Sequence, residues 1–106
     1  MMISTIALSS RPADPQILAR IEEKLKQVER FIDSVIDAHV VFKQPERENK
    51  KGAFTEIRLT LPDSIVFVRE FGHTIESSLE EAMRSLKRQL LKYRMRKRAR
   101  RAGNTK

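Results

Sequence analysis

Cysteine and tryptophan are absent from this 106-residue chain, and glycine occurs only three times, scattered at positions 52, 72 and 103. Without thiols there is no disulfide framework and no thiolate metal site, and a reducing compartment is the default. Three isolated glycines cannot form a phosphate-cradling loop. The opening stretch MMISTIALSS lacks a basic region and a long apolar run, and no segment approaches the roughly 18 apolar residues of a membrane span. A soluble, cytoplasmic protein is expected. The two histidines, His39 and His73, have no ligand spacing, so no metal site is expected. Ser77 and Ser78 lie in a helical pattern without a nucleophile elbow and read as helix surface. The glutamates at 76, 80 and 81 suit the positive end of a helix. No catalytic site, cofactor or small-molecule substrate is expected. The most informative lack is local, since no Asp or Glu follows Met83.

What is present is enough apolar material for one modest core, with 40% hydrophobic and 34% charged residues. The net charge of +8 is unevenly placed. Residues 1–83 hold 11 basic and 14 acidic side chains, a balance of −3, whereas residues 84–106 hold 11 basic and none acidic. Such a field gathers polyanions at one end of the molecule. Nucleic acid is the first candidate, bound through phosphates with steep salt dependence and little sequence readout. An acidic partner or an anionic membrane comes second, although the basic segment lacks the bulky apolar face of an interfacial helix.

Alternation and turn residues predict a first strand at 2–8, a loop at SSRPA, and a helix from about 15 to 33. Asp14 is its cap, Pro15 its first residue, and Ile17, Leu18, Ile21, Leu25, Val28 and Ile32 its apolar stripe. AHVVFK (38–43) reads as a second strand, QPERENKKG (44–52) as a polar connection, and AFTEIRLTL (53–61) as a third strand. In that third strand Ala53, Thr55, Ile57, Leu59 and Leu61 share one face. After the PDS turn, IVFVREF (65–71) gives a fourth strand, and strands two to four form an antiparallel meander. The order β-α-β-β-β-α predicts an α+β fold, two helices packed on one face of a four-stranded sheet.

The last helix starts at the cap Thr74 and carries Ile75, Leu79, Ala82, Met83, Leu86, Leu90 and Tyr93 on one stripe. Arg84, Lys87, Arg88, Lys92 and Arg94 are expected opposite it, with Leu91 and Met95 among them. Arg20 and Lys24 lie on one flank of the first helix. Beyond Arg94 the stripe fails, so core contact should end near Tyr93. A helix reaching Arg101 would be about 42 Å long against about 23 Å for a seven-residue strand, so the excess must overhang or fray. Residues 1–94 are therefore expected to form the domain, and 95–106 a basic tail carrying Arg96, Lys97 and Arg98.

With that order in view, the chain resembles the short form of the ribosome hibernation promoting factor and ribosome-associated inhibitor family. The resemblance is carried by EEKLKQVERFI (22–32), AHVVF (38–42), EIRLTLP (56–62) and above all Leu86, Arg88, Gln89, Leu90, Lys92 and Tyr93. Where the family opens its last helix with Asp-x-Tyr-x-Ala-Ile-Asp, this chain has TIESSLE (74–80), so it reads as a divergent member. The resemblance implies a double-stranded-RNA-binding-like fold and a non-enzymatic factor on the small ribosomal subunit, silencing translation in slow growth. By that resemblance ribosomal RNA contacts fall to Arg84, Lys87, Arg88, Lys92, Arg94, Arg96, Lys97 and Arg98, with Arg20 and Lys24 on the first helix. The ribosome-pairing domain of long members is not expected here, and oligomeric state stays open. The alternative is a general double-stranded RNA or nucleic-acid-binding module without ribosome specificity.

Overall fold

The computed structural model describes the backbone of residues 2–7, 15–32, 34–43 and 52–103, and side chains over 15–32, 34–43 and 52–99. Six elements follow in the expected order: β1 (Met2–Ala7), α1 (Pro15–Phe31), β2 (Asp37–Lys43), β3 (Ala53–Thr60), β4 (Ile65–Gly72) and α2 (Ile75–Gly103). Each boundary falls within two residues of its predicted place, except the end of α2. The Asp14 cap and the connection at 44–51 lie outside the described residues.

β2, β3 and β4 form the antiparallel meander, with Val40 opposite Ile57 and Ile57 opposite Val68. β1 lies beside β2 in parallel, giving the strand order β1-β2-β3-β4. Parallel neighbours cannot be joined by a tight turn and need a crossover, which α1 supplies. One face of the sheet is covered. Ala38, Val40 and Phe42 of β2, Ile57 and Leu59 of β3 and Val68 of β4 meet Ile17, Ile21, Leu25 and Val28 of α1, Ile32 just after it, and Leu79, Ala82, Met83, Leu86 and Leu90 of α2. The period of two in the strands and the three-four spacing in the helices build this α+β core, as the pattern of residue types requires.

Three side chains depart from the sequence reading. Leu18 was expected on the α1 stripe and is more than a third exposed, since its Cα direction leads Ile17 and Ile21 around the helix and away from the sheet. Ser78 was expected on the helix surface and is fully buried. Its hydroxyl donates to the Ile75 carbonyl at 2.8 Å and meets the Thr55 hydroxyl at 2.7 Å, so two small polar groups satisfy each other where β3 and α2 touch. Arg94 was expected opposite the stripe. At 100° per residue it stands only about 40° from Leu90, and it is half-buried on the side facing α1.

The start of α2 is fixed by a reciprocal cap. The Ser77 amide donates to Thr74 Oγ1 at 3.0 Å, and the Thr74 amide donates to Ser77 Oγ at 2.9 Å, the geometry of a capping box with serine in the fourth position. Gly72 makes the sharp entry possible. A Cβ there would stand 2.8 Å from the Ser77 carbonyl carbon and would also strike Ser77 Oγ and the Ser78 amide, so only glycine lets β4 pass so near the first turn. At its other end α2 runs unbroken to Gly103. Residues 95–103 therefore continue the helix as an overhang beyond the sheet.

Candidate nucleic-acid interface

α2 carries two functions on two sides. Leu79, Ala82, Met83, Leu86 and Leu90 are buried, and Tyr93 is packed against the core as its last contact. Tyr93 Oη donates to Asp63 Oδ1 at 2.7 Å, tying the helix to the β3–β4 turn. A second tie runs from Ser85 Oγ to Glu70 Oε1 of β4 at 2.6 Å. With its inner side held at these points, the helix presents Arg84, Lys87, Arg88 and Lys92 to solvent, all exposed. Arg88 donates to Ser85 Oγ at 3.2 Å, and Arg84 pairs with Glu81 at 2.9 Å. Neither contact is buried enough to neutralise its cation, because exposed pairs contribute little in water. Leu91 and Met95 stand exposed in the same row.

α1 and α2 run side by side and parallel, as shown by Lys24 meeting Glu80 and, further along both helices, Phe31 meeting Arg94. Lys24 Nζ lies 2.8 Å from Glu80 Oε1. That hydrogen bond, reinforced by the ammonium charge and by Arg20 and Arg84, holds the Glu80 carboxyl below the usual carboxylate range, against a smaller opposing effect of burial. Lys24 is thus half-buried and committed to Glu80, which makes it a weaker phosphate ligand than its place in the sequence suggests. Arg20 is exposed.

Where α1 ends alongside the continuing α2, Arg30, Phe31, Ile32, Ser34, Tyr93, Arg94, Lys97 and Arg98 line an open cleft of about 360 Å³. The Arg94 guanidinium lies 4.7 Å from the Phe31 ring centre, and Lys97 Nζ lies 5.3 Å from that of Tyr93. Each ring orients a cation at about 0.5–1 kcal/mol, so Arg94 and Lys97 reach the cleft in fixed directions while Arg96 and Arg98 stay exposed. Arg30 and Phe31 were not singled out from sequence. The one available signal was an aromatic off the α1 stripe, and its meaning depends on the neighbouring helix. The C-terminus of α1 ends here, and its partial negative charge favours these cations. Among the described residues there is no cluster of metal-ligating side chains and no helix apolar enough to cross a membrane.

A family model described as Sigma 54 modulation protein / S30EA ribosomal protein matches residues 9–98. A ribosome hibernation promotion factor from Deinococcus radiodurans is 30% identical over 77 residues, which take in 72% of this chain and 40% of that protein. The chain thus matches about two-fifths of that relative's length. Among solved structures, a ribosomal subunit interface protein from Coxiella burnetii superposes with a TM-score of 0.78 at 21% identity, covering 90% of this chain and 99% of the other. The N-terminal domain of Protein Y from Thermus thermophilus gives 0.74 at 24% identity, with 88% and 99% covered. At those identities the structural likeness speaks for the fold.

Proposed function

We propose, because this chain belongs to the Sigma 54 modulation protein / S30EA ribosomal protein family, that it is a non-enzymatic factor that occupies the small ribosomal subunit and inhibits translation by exclusion. Its partner is ribosomal RNA, held through phosphates by Arg84, Lys87, Arg88 and Lys92 on α2. Arg94, Arg96, Lys97 and Arg98 extend the contact toward the cleft, and Arg20 adds to it from α1. Two parallel helices on one side of a sheet resemble a double-stranded-RNA-binding arrangement, which recognises shape and backbone rather than base sequence. The site is cytoplasmic, where ribosomes work, and the act is binding alone.

The observation that carries this reading is the exposed, acid-free cationic side of α2 from Arg84 onward. A solvated helix face ordinarily mixes signs. Exclusion needs no chemistry, only a rigid body whose charge matches a phosphate-lined channel.

Cosedimentation with purified small subunits at rising salt tests the proposal. The wild-type chain is expected to pellet with subunits at low salt and to release steeply, with a log–log slope of about −0.7 to −0.9 per phosphate neutralised. The triple substitution Lys87→Ala, Arg88→Ala and Lys92→Ala should weaken binding at least tenfold and flatten that slope. Failure to cosediment at low salt overturns the proposal. Equal affinity for naked duplex RNA and intact subunits would instead indicate a general duplex-RNA module.

A further inference from the structure

The side of the sheet away from the helices is unusual for a solvated surface. Ile65, Phe67 and Phe71 of β4 are 62%, 55% and 63% exposed, and Phe54 of β3 is half-buried beside them. The cross-strand register sets cations among these rings. Lys43, Phe54 and Phe71 form one row across β2, β3 and β4, and Arg58 stands directly opposite Phe67. Between the rows, Arg69 faces Glu56, with its Nε 3.4 Å from Glu56 Oε1 and its guanidinium 4.3 Å from the Phe54 ring centre. Neighbouring strands are about 4.8 Å apart, so each ring has a cation as its neighbour.

We propose that this open sheet face is a second nucleic-acid surface, which stacks the unpaired bases of single-stranded RNA on Phe67 and Phe71 while Arg58, Arg69 and Lys43 hold the intervening phosphates. An aromatic ring gives any base a face to stack on, and a flanking cation meets the backbone, the combination that single-strand binders use. Phe67 and Phe71 sit four residues apart on β4, about 13 Å, with Arg69 between them. The Phe71 ring is held in place, because it lies against Gly52, where a side chain would collide with it. Gly52 has φ 123°, so both its conformation and its missing Cβ make room for the ring. Paired RNA hides its base faces and cannot use this platform.

Charge selects the occupant. A second copy of the chain would bring one net charge of +8 against another. The described part of this face sets three cations, Lys43, Arg58 and Arg69, against two acids, Glu56 and Asp37, and Asp37 lies on the outermost row. Flat rows of ring and cation offer no groove for a partner helix. An anionic single strand with free bases matches both the rings and the sign.

The inference is independent of the α2 contact, and one set of proteins separates the two. Fluorescence anisotropy with a labelled, unstructured single-stranded RNA and with its duplex is measured for the wild type, for F67A/F71A and for the α2 triple variant. F67A/F71A should lose about tenfold or more in single-strand affinity per ring removed, with duplex affinity and subunit cosedimentation unchanged. The α2 triple variant should lose duplex and subunit binding. Phe67→Tyr, which keeps the ring, should recover that ring's share of single-strand affinity when introduced in place of Phe67→Ala. Single-strand affinity unchanged in F67A/F71A would overturn the proposal. So would a concentration-dependent dimer abolished by that pair, because it would assign the face to a second copy.

Discussion

Glu80 sits where the two helices meet, accepting from Lys24 and lying in the field of Arg20 and Arg84. Its lowered pKa means that the folded state favours the charged form, so its contribution is present above the ordinary carboxylate value. That contribution is lost as pH falls through the folded value. The difference in urea midpoint between the wild type and Glu80→Gln should therefore be visible at neutral pH and close as pH falls below the ordinary carboxylate range. Salt should shrink it at neutral pH, because the carboxylate remains largely open to water. A difference that grew on acidification would mean that Glu80 is better held when protonated. The same residue shows why single positions mislead: Lys24 reads as an available cation in sequence and is spoken for once α2 is in place.

At the scale of elements, α2 is a structural helix as far as Tyr93 and an electrostatic rod beyond it. Its 29 residues span about 44 Å, whereas the eight of β4 reach about 27 Å. The burial record follows that difference: Leu86 and Leu90 are sealed in the core, and Tyr93 is the last side chain packed against it. Leu90→Ala should cost about 2–5 kcal/mol, since the cavity it leaves is walled by both helix and sheet. Truncation after Arg94 should change stability by no more than about 1 kcal/mol, its main local loss being the Lys97 contact with Tyr93. Urea titrations of the two variants measure both quantities, and a large loss on truncation would place the end of the core beyond Tyr93.

The whole molecule measures 61 × 23 × 17 Å, and its charge is distributed along that length. The strongly positive overhang projects from a body whose remaining charges nearly cancel. Electrostatic steering follows from such an arrangement, because a polyanion is attracted first by the end that extends furthest into solution. The truncated chain, lacking Arg96, Lys97, Arg98 and the cations beyond them, should therefore bind subunits with a shallower salt slope as well as lower affinity. Ribosome sedimentation across a salt series measures that slope. Retention of the full slope would confine the contact to Arg84–Arg94.

The order of the elements and the buried side of β3 were legible because both depend on local periodicity: two residues per repeat in β3, three and four in α1 and α2. The cationic run was legible because net charge needs no fold. The acid-free segment and the Leu86, Leu90 and Tyr93 stripe were visible together in sixteen residues. What the sequence could not disclose was adjacency. Ser78 becomes a buried partner only because Thr55 arrives from a strand 23 residues away. Helix pitch alone sets Arg94 near the Leu90 side, but that it meets the Phe31 ring there depends on how α1 and α2 pack. The row of Lys43, Phe54 and Phe71 exists only through strand register, which a shift of one residue would turn to the opposite side. Local pattern thus determined which elements form and which side of β3, α1 and α2 is apolar. Tertiary contact alone decided which cations are committed, which remain free, and which rings share an open face, because those depend on distances between segments remote in the chain.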